Sequence, residues 1–307
     1  MSQRARAVIV VSFGIVFACG PAPRHNNGQN VNDANGANCV PTGMENTPAE
    51  CSDGIDNNCN GLIDCNDPSC SGIGSCPVCG MVQHPLGTPF FLPDGVTSGT
   101  ACTTDAQCGG SSPNCILFGS PLAGECHGSY TSKVNFTAFS MGQQLMQPSD
   151  ILGVCANMEH EWIRDLQIEL LSPSGQLIVL DRMEGRTGGE VYLGEPYDED
   201  SAGMSGPHVG YDYCWRPTAT KPAMLEYANA NMLTLPNYTD ATGSHPQLPA
   251  GDYSASDPWS KLIGATLNGD WTLRITDLWS IDVGYVHSWK IEFDPTIVQN
   301  CSGPVIQ

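Results

Sequence analysis

The stretch "CSDGIDNNCNGLIDCNDPSC", residues 51–70, crowds carboxylate and amide oxygens between cysteines. Counted from Asp56, residues Asp56, Asn58 and Asn60 take loop positions one, three and five, and Gly61 follows at six. That is the opening register of an EF-hand-type calcium loop. Leu62 then stands where a backbone carbonyl ligates, and Asp64 where a carboxylate binds directly or through water. Asp67 falls at position twelve, the place of the closing carboxylate, with Asp instead of the usual Glu. A hard cation needs several oxygens in a flexible cage, and alternate side chains of one loop converge only if a glycine allows the sharp bend. The loop is therefore expected to hold calcium through Asp56, Asn58, Asn60, Leu62, Asp64 and Asp67, with an affinity on the order of 10⁻⁴ to 10⁻³ M that serves stability and not signalling. Asp, Asn and Gly also make turns by themselves, but turn-making does not account for the complete register.

A second group of acids, Glu195, Asp198 and Asp200 in "LGEPYDED", is either a solvated face or a second calcium site to which Asp165 contributes. The seven histidines never occur as H-x-H or H-x-x-x-H, so copper and zinc are disfavoured as ligands of a dedicated site. "CPVCG" at Cys76 to Cys79 has the spacing of a redox pair or half a zinc site, but no strand-to-helix context surrounds it, and disulfides are expected there instead.

The elements that position these residues follow from the cysteines and the apolar pattern. Residues 1–18 read as a signal peptide, with Arg4 and Arg6 ahead of an apolar run from Ala7 to Phe17. Val16-Phe17-Ala18-Cys19 resembles a bacterial lipobox, which implies lipidation of Cys19; the alternative is cleavage near Ala18 to give a secreted protein. The chain has 15 cysteines, and giving Cys19 to lipid leaves an even number to pair in an oxidising compartment. Seven lie from Cys39 to Cys79, four from Cys102 to Cys126, and Cys155, Cys214 and Cys301 beyond. The expected pairing closes Cys155 to Cys214 and ties Cys301 back to the first block.

Residues 19–38 are rich in Asn and Gly and read as a flexible tether. Residues 39–80 form a cysteine-rich metal-binding region and 81–129 a second cysteine-rich module, each with too few aliphatic residues for an ordinary core. Residues 130–295 carry the core, and 296–307 are a tail. In "DLQIELLSPSGQLIVL", Leu166, Ile168 and Leu170 alternate with Gln167 and Glu169, turn at Ser172-Pro173-Ser174-Gly175 and resume at Leu177, the pattern of a β-hairpin with one buried face. "GDWTLRITD" points Trp271, Leu273 and Ile275 inward, and "GYVHSWKIEF" points Tyr285, His287, Trp289, Ile291 and Phe293 to one face. With no convincing helix, the expectation is a mainly β chain with a C-terminal antiparallel β-sandwich.

"EHEWIRDLQIELLSPSGQLIVL", then "LGEPYDEDSAG", "GYDYCWRPTA" and "LNGDWTLRITDLWSIDVGYVHSWKIEF", together resemble the P/Homo B domain of proprotein convertases and of many exported bacterial proteins, over roughly residues 151–294. The resemblance implies a jelly-roll, galactose-binding-like sandwich that accompanies a subtilisin-like protease or serves as a non-catalytic surface module. Arg164 stands where that family usually has Gly. Residues 51–70 likewise resemble the Asp/Asn-rich, MopE-type metal-binding motif of bacterial surface proteins.

A net charge of -20 with 12 basic residues argues against nucleic acid as a partner. No G-x-S-x-G occurs, and too few residues precede the sandwich to hold a subtilisin-like domain, so no catalytic residues are expected; His160 and His287 read as structural. The expected protein is a calcium-stabilised lipoprotein of the bacterial outer membrane, facing periplasm or surface, or else a secreted protein. It would bind the membrane through lipid and present its sandwich to an unknown protein or carbohydrate. The alternatives are an accessory module of a separate subtilisin-like protease and a transition-metal-binding surface protein.

Overall fold

The computed structural model describes residues 39–76, 81–96, 98–119, 121–185, 188–197 and 206–299, the side chains of the first strand from residue 89 onward, and the backbone pairing of 305–306. The signal peptide, Cys19, Cys79, Asp198, Asp200 and Cys301 lie outside the described residues. The strands are β1 (Met81–Phe91), β2 (Thr100–Ala101), β3 (Asn114–Phe118), β4 (Ala123–His127), β5 (Tyr130–Phe136), β6 (Ile151–His160), β7 (Leu166–Leu171) and β8 (Leu177–Asp181). After β9 (Tyr211–Trp215) comes a helix, α1 (Met224–Asn231), then β10 (Asn237–Thr239), β11 (Ser244–Pro246), β12 (Gly251–Tyr253), β13 (Gly269–Asp277), β14 (Gly284–Phe293) and β15 (Val305–Ile306).

Two five-stranded sheets, β1-β14-β6-β9-β12 and β15-β5-β13-β7-β8, make the mainly β sandwich. Its strands are antiparallel except β12, which runs parallel to β9. β1 lies in the segment expected to belong to the second cysteine-rich module, yet it forms the edge of the first sheet against β14. The inner faces meet in one core that includes Trp215, Trp271, Trp289, Phe136 and Phe293. Phe293 packs edge-on against Phe136 at 5.0 Å and Trp271 at 5.3 Å, and burying each such side chain contributes about 1.5–3 kcal/mol. Two of the indole N–H groups donate to partners inside: Trp271 to the Leu267 carbonyl at 3.0 Å and Trp289 to Ser132 Oγ at 2.8 Å.

β7 and β8 form the expected hairpin, with Gly175 N–H donating to the Ser172 carbonyl across the turn. Two details differ from simple alternation. Gln167 and Glu169, read as outward-facing, are buried because the second cysteine-rich module covers that face. Gln167 donates to the Leu117 carbonyl at 2.9 Å, Glu169 accepts from Arg274 at 2.6 Å, and Ile116, Phe118, Met183 and Leu278 form a small apolar contact across the seam. In β14 the register shifts between Val286 and Ser288, so Val286 joins the core while His287 leaves the face shared by Trp289, Ile291 and Phe293. A bulge adds one residue and reverses the alternation beyond it.

Among the described residues the second module is a three-stranded sheet, β2-β4-β3, closed by Cys102–Cys115 and Cys108–Cys126. No helix among the described residues is long and apolar enough to cross a membrane.

Candidate metal centre and its surroundings

Residues 39–76 have almost no apolar core. The buried cluster consists of Cys51, Cys70 and Cys76, with Cys65 and Ile73 packed on it, so sulfur takes the place of aliphatic side chains. Three bridges, Cys39–Cys59, Cys51–Cys70 and Cys65–Cys76, fasten the loop at both ends and in the middle. Cys76 is bonded to Cys65 and is therefore no part of a C-x-x-C pair with Cys79.

Inside this frame the loop curls around Asp56. Its carboxylate accepts the backbone N–H of Asn60 at 3.1 Å and of Gly61 at 2.8 Å, which brings positions five and six over position one. Gly61 has φ +92°, a conformation that favours glycine and supplies the bend. Asn58 Oδ1 accepts from Asn60 N–H at 3.0 Å and Asn60 Oδ1 from Leu62 N–H at 2.9 Å. From the closing position Asp67 Oδ2 accepts from the amides of Asn58 at 2.7 Å and Asn60 at 2.8 Å. Asp56, Asn58, Asn60 and Asp67 are thereby gathered, with Asp56 and Asp67 fully buried. The Asp64 carboxylate is engaged separately: it caps Gly54 N–H at 2.9 Å.

Glu45 is a residue the spacing argument missed. It is fully buried, and its two carboxylate oxygens accept Asn57 N–H at 3.1 Å and Asp64 N–H at 2.6 Å, one on each side of the loop. Burial pushes its pKa up to about 7 and the nearby Asp67 charge adds to this, against the lowering effect of the two backbone donors. Its sequence signal is slight, an acid six residues ahead of Cys51. Buried carboxylates side by side favour either protons or a cation, and oxygen donors of this type suit calcium. Among the described residues, the one group of three His, Cys, Asp or Glu ligand atoms mutually within 4.8 Å is Cys102, Cys108 and Cys115, whose thiols are spent in disulfides. Closing the 56–67 loop on an ion thus depends on amide and carbonyl oxygens beside its carboxylates.

Of the second group of acids, Asp165 and Glu195 lie among the described residues. Asp165 is fully buried at the start of β7, where its carbonyl accepts from Leu278 N–H. Glu195 accepts from the Tyr211 hydroxyl at 2.6 Å and lies beside His208. Arg164 fills the space over Gly188 and donates to the Gly189 carbonyl at 2.7 Å. Cys155 and Cys214, directly opposite each other on β6 and β9, are bonded. His160 is fully buried and its pKa is lowered to about 4 by that burial, while His287 stands partly exposed, 3.9 Å from Glu159.

A family model described as the proprotein convertase P-domain matches residues 244–293. Among solved structures, the chain is similar to a serine protease of Aeromonas sobria, with 12% identity, a TM-score of 0.26 and coverage of 71% of this chain and 27% of that one. The same protease in complex with its chaperone gives 13% identity, a TM-score of 0.25 and coverage of 71% and 28%. The chain thus spans little more than a quarter of the length of these structures. No curated protein matches it. The segment matched by the P-domain model runs from β11 through β12 and β13 to the end of β14, and so includes the strands that carry Trp271, Trp289 and Phe293.

Proposed function

We propose that this protein is a non-catalytic, calcium-stabilised, lipid-anchored envelope protein whose cysteine-rich stalk displays a P-domain sandwich for binding. The observation that carries the reading is the buried Asp56 carboxylate, around which Asn58, Asn60 and Asp67 gather inside a frame of three disulfides. Such a loop has no apolar core to fix its shape, so an ion holding it closed gives the stalk rigidity. Lipid on Cys19 would place the stalk at the membrane, with residues 20–38 as its tether.

The test is calcium titration of the mature, disulfide-intact protein by calorimetry, together with thermal melting, for wild type and Asp56→Ala. Calcium uptake that raises the melting temperature, both effects diminished by Asp56→Ala, supports the reading. Tight binding of copper or zinc with no response to calcium would transfer the stalk to transition-metal capture.

A second reading is favoured by the P-domain match at 244–293: an accessory module that presents its sandwich to a separate subtilisin-like protease. A neighbouring gene for such a protease lacking its own P-domain supports this reading, and its absence favours autonomous display.

A further inference from the structure

Residues 39–76 contain six acids and no Lys, Arg or His, and three of the acids, Glu45, Asp56 and Asp67, are fully buried. A carboxylate taken out of water is costly unless hydrogen bonds or a positive charge offset the loss. Asp56 and Asp67 belong to the loop register, whereas Glu45 comes from outside it. The segment that carries it, residues 42–45, is laid across the loop. Thr42 and Gly43 N–H both donate to the Asn57 carbonyl, at 2.9 and 3.2 Å, and the Thr42 hydroxyl donates to Asn57 Oδ1 at 2.6 Å. Glu45 itself has φ +52°, a left-handed conformation that a residue with a side chain seldom adopts. Its carbonyl oxygen lies 3.2 Å from Cys70 Sγ and 3.6 Å from Cys51 Sγ, so the Cys51–Cys70 bridge backs the turn.

From this position one carboxylate holds both arms of the loop. Oε2 accepts Asn57 N–H at loop position two, at 3.1 Å, and Oε1 accepts Asp64 N–H at position nine, at 2.6 Å. Asn58, Asn60 and Leu62, the donors at positions three, five and seven, lie on the stretch between these two holds. The spacing of the arms is thereby set from outside the loop by a single planar group. Calcium takes oxygens at about 2.3–2.6 Å in a flexible shell, whereas magnesium demands about 2.0–2.1 Å in near-ideal octahedral geometry. Closing on the smaller ion draws the arms together, and that contraction works against the two hydrogen bonds of the clamp.

We propose that Glu45 is a positioning residue that sets the selectivity of the 56–67 loop for calcium over magnesium. This role rests on the reading of residues 56–67 as a calcium loop. Glu45 acts through the backbone N–H groups of positions two and nine and is not itself a member of the register. Loss of its charge weakens both divalent ions alike, because both carry the same charge. Loss of the clamp frees the arms to contract and lowers the discrimination between the ions.

The test is calorimetric titration of the mature, disulfide-intact protein with calcium chloride and, separately, with magnesium chloride. Asp56→Ala assigns the binding to the loop. Glu45→Asp keeps the charge but is one methylene shorter and reaches one arm only, so the ratio of the magnesium Kd to the calcium Kd is expected to fall at least about fivefold. Glu45→Gln keeps the length but offers one acceptor oxygen to two donors; the ratio is expected to fall likewise, and calcium affinity itself to drop about tenfold. A merely structural role weakens both ions in proportion, so an unchanged ratio in the two variants overturns the proposal and leaves the calcium loop standing. Absence of Asp56-dependent calcium binding in wild type overturns both. Amide hydrogen exchange on the wild type gives the same answer without a variant: the Asn57 and Asp64 amides are expected to stay protected in calcium, and one of them to exchange faster in magnesium. Equal protection of both amides in the two ions overturns the proposal.

Discussion

The two ends of the described chain are held together by different physics. In the sandwich, two sheets bury a continuous apolar core from Leu92 to Val298, and some of its buried polar groups are matched in pairs, such as Arg274 with Glu169. In residues 39–76 three disulfides and a ring of carboxylate and amide oxygens stand where a core would be. The first kind of unit is stable through area removed from water, while the second depends on covalent closure and on what neutralises its acids. The two should therefore fail separately, under different treatments.

The largest separation is expected from the core. Trp271→Ala removes a fully buried indole that packs on Phe293 and should cost the sandwich about 3–5 kcal/mol, seen as a lower melting temperature. Protease resistance of residues 39–76 should be unchanged. Replacing Cys51 and Cys70 together by serine tests the converse, with an expected loss of about 2–5 kcal/mol confined to the first module. Limited proteolysis should then cut between residues 39 and 76 while the sandwich melts as before; a sandwich that melts earlier would show that the units are coupled.

Glu45→Gln is a finer probe. The glutamine has one acceptor oxygen for two backbone donors, so either Asn57 or Asp64 N–H loses its partner, at a cost of about 1–3 kcal/mol to the module. Faster amide exchange at residue 57 or 64, with β13 unaffected, checks this.

The smallest effect concerns pH. Burial raises the Asp181 pKa from 3.8 to about 7, although Leu225 N–H donates to it. The native state then keeps a proton that the unfolded chain has lost, so stability is highest below the unfolded value and falls as pH rises through this window. Urea midpoints measured across that range should lose this contribution in Asp181→Asn, so the wild-type minus variant difference shrinks as pH rises from about 4 to about 7.

How much of this was legible in the sequence depended on range. The ligand register from Asp56 to Asp67 could be read because neighbours in sequence converge when the loop bends at Gly61, and the hairpin from Leu166 to Leu180 because its turn residues are contiguous. Asp64 fits the register but is taken by Gly54 N–H, a contact no spacing rule specifies. Glu45 was missed for the same reason: its partners lie 12 and 19 residues away along a folded path. The outward residues Gln167 and Glu169 looked solvent-facing because the module that covers them comes from elsewhere in the chain. His287 changed face through a bulge, which an apolar pattern does not announce. The parallel partner of β12 and the short helix α1 likewise depend on the return path of the chain, not on local periodicity. Cys301 lies outside the described residues. The six bridges described leave Cys19, Cys79 and Cys301, and the expected tie from Cys301 to the first block would then use Cys79.

The most direct measurement of the difference between the two regions is amide hydrogen exchange on the mature protein, in calcium and after chelation. The account predicts that the Asn60 and Gly61 amides, which donate to Asp56, are protected in calcium and exchange rapidly without it, while Leu273 in the centre of β13 keeps its protection in both. Equal protection of Asn60 and Gly61 with and without calcium would contradict the claim that an ion holds this loop.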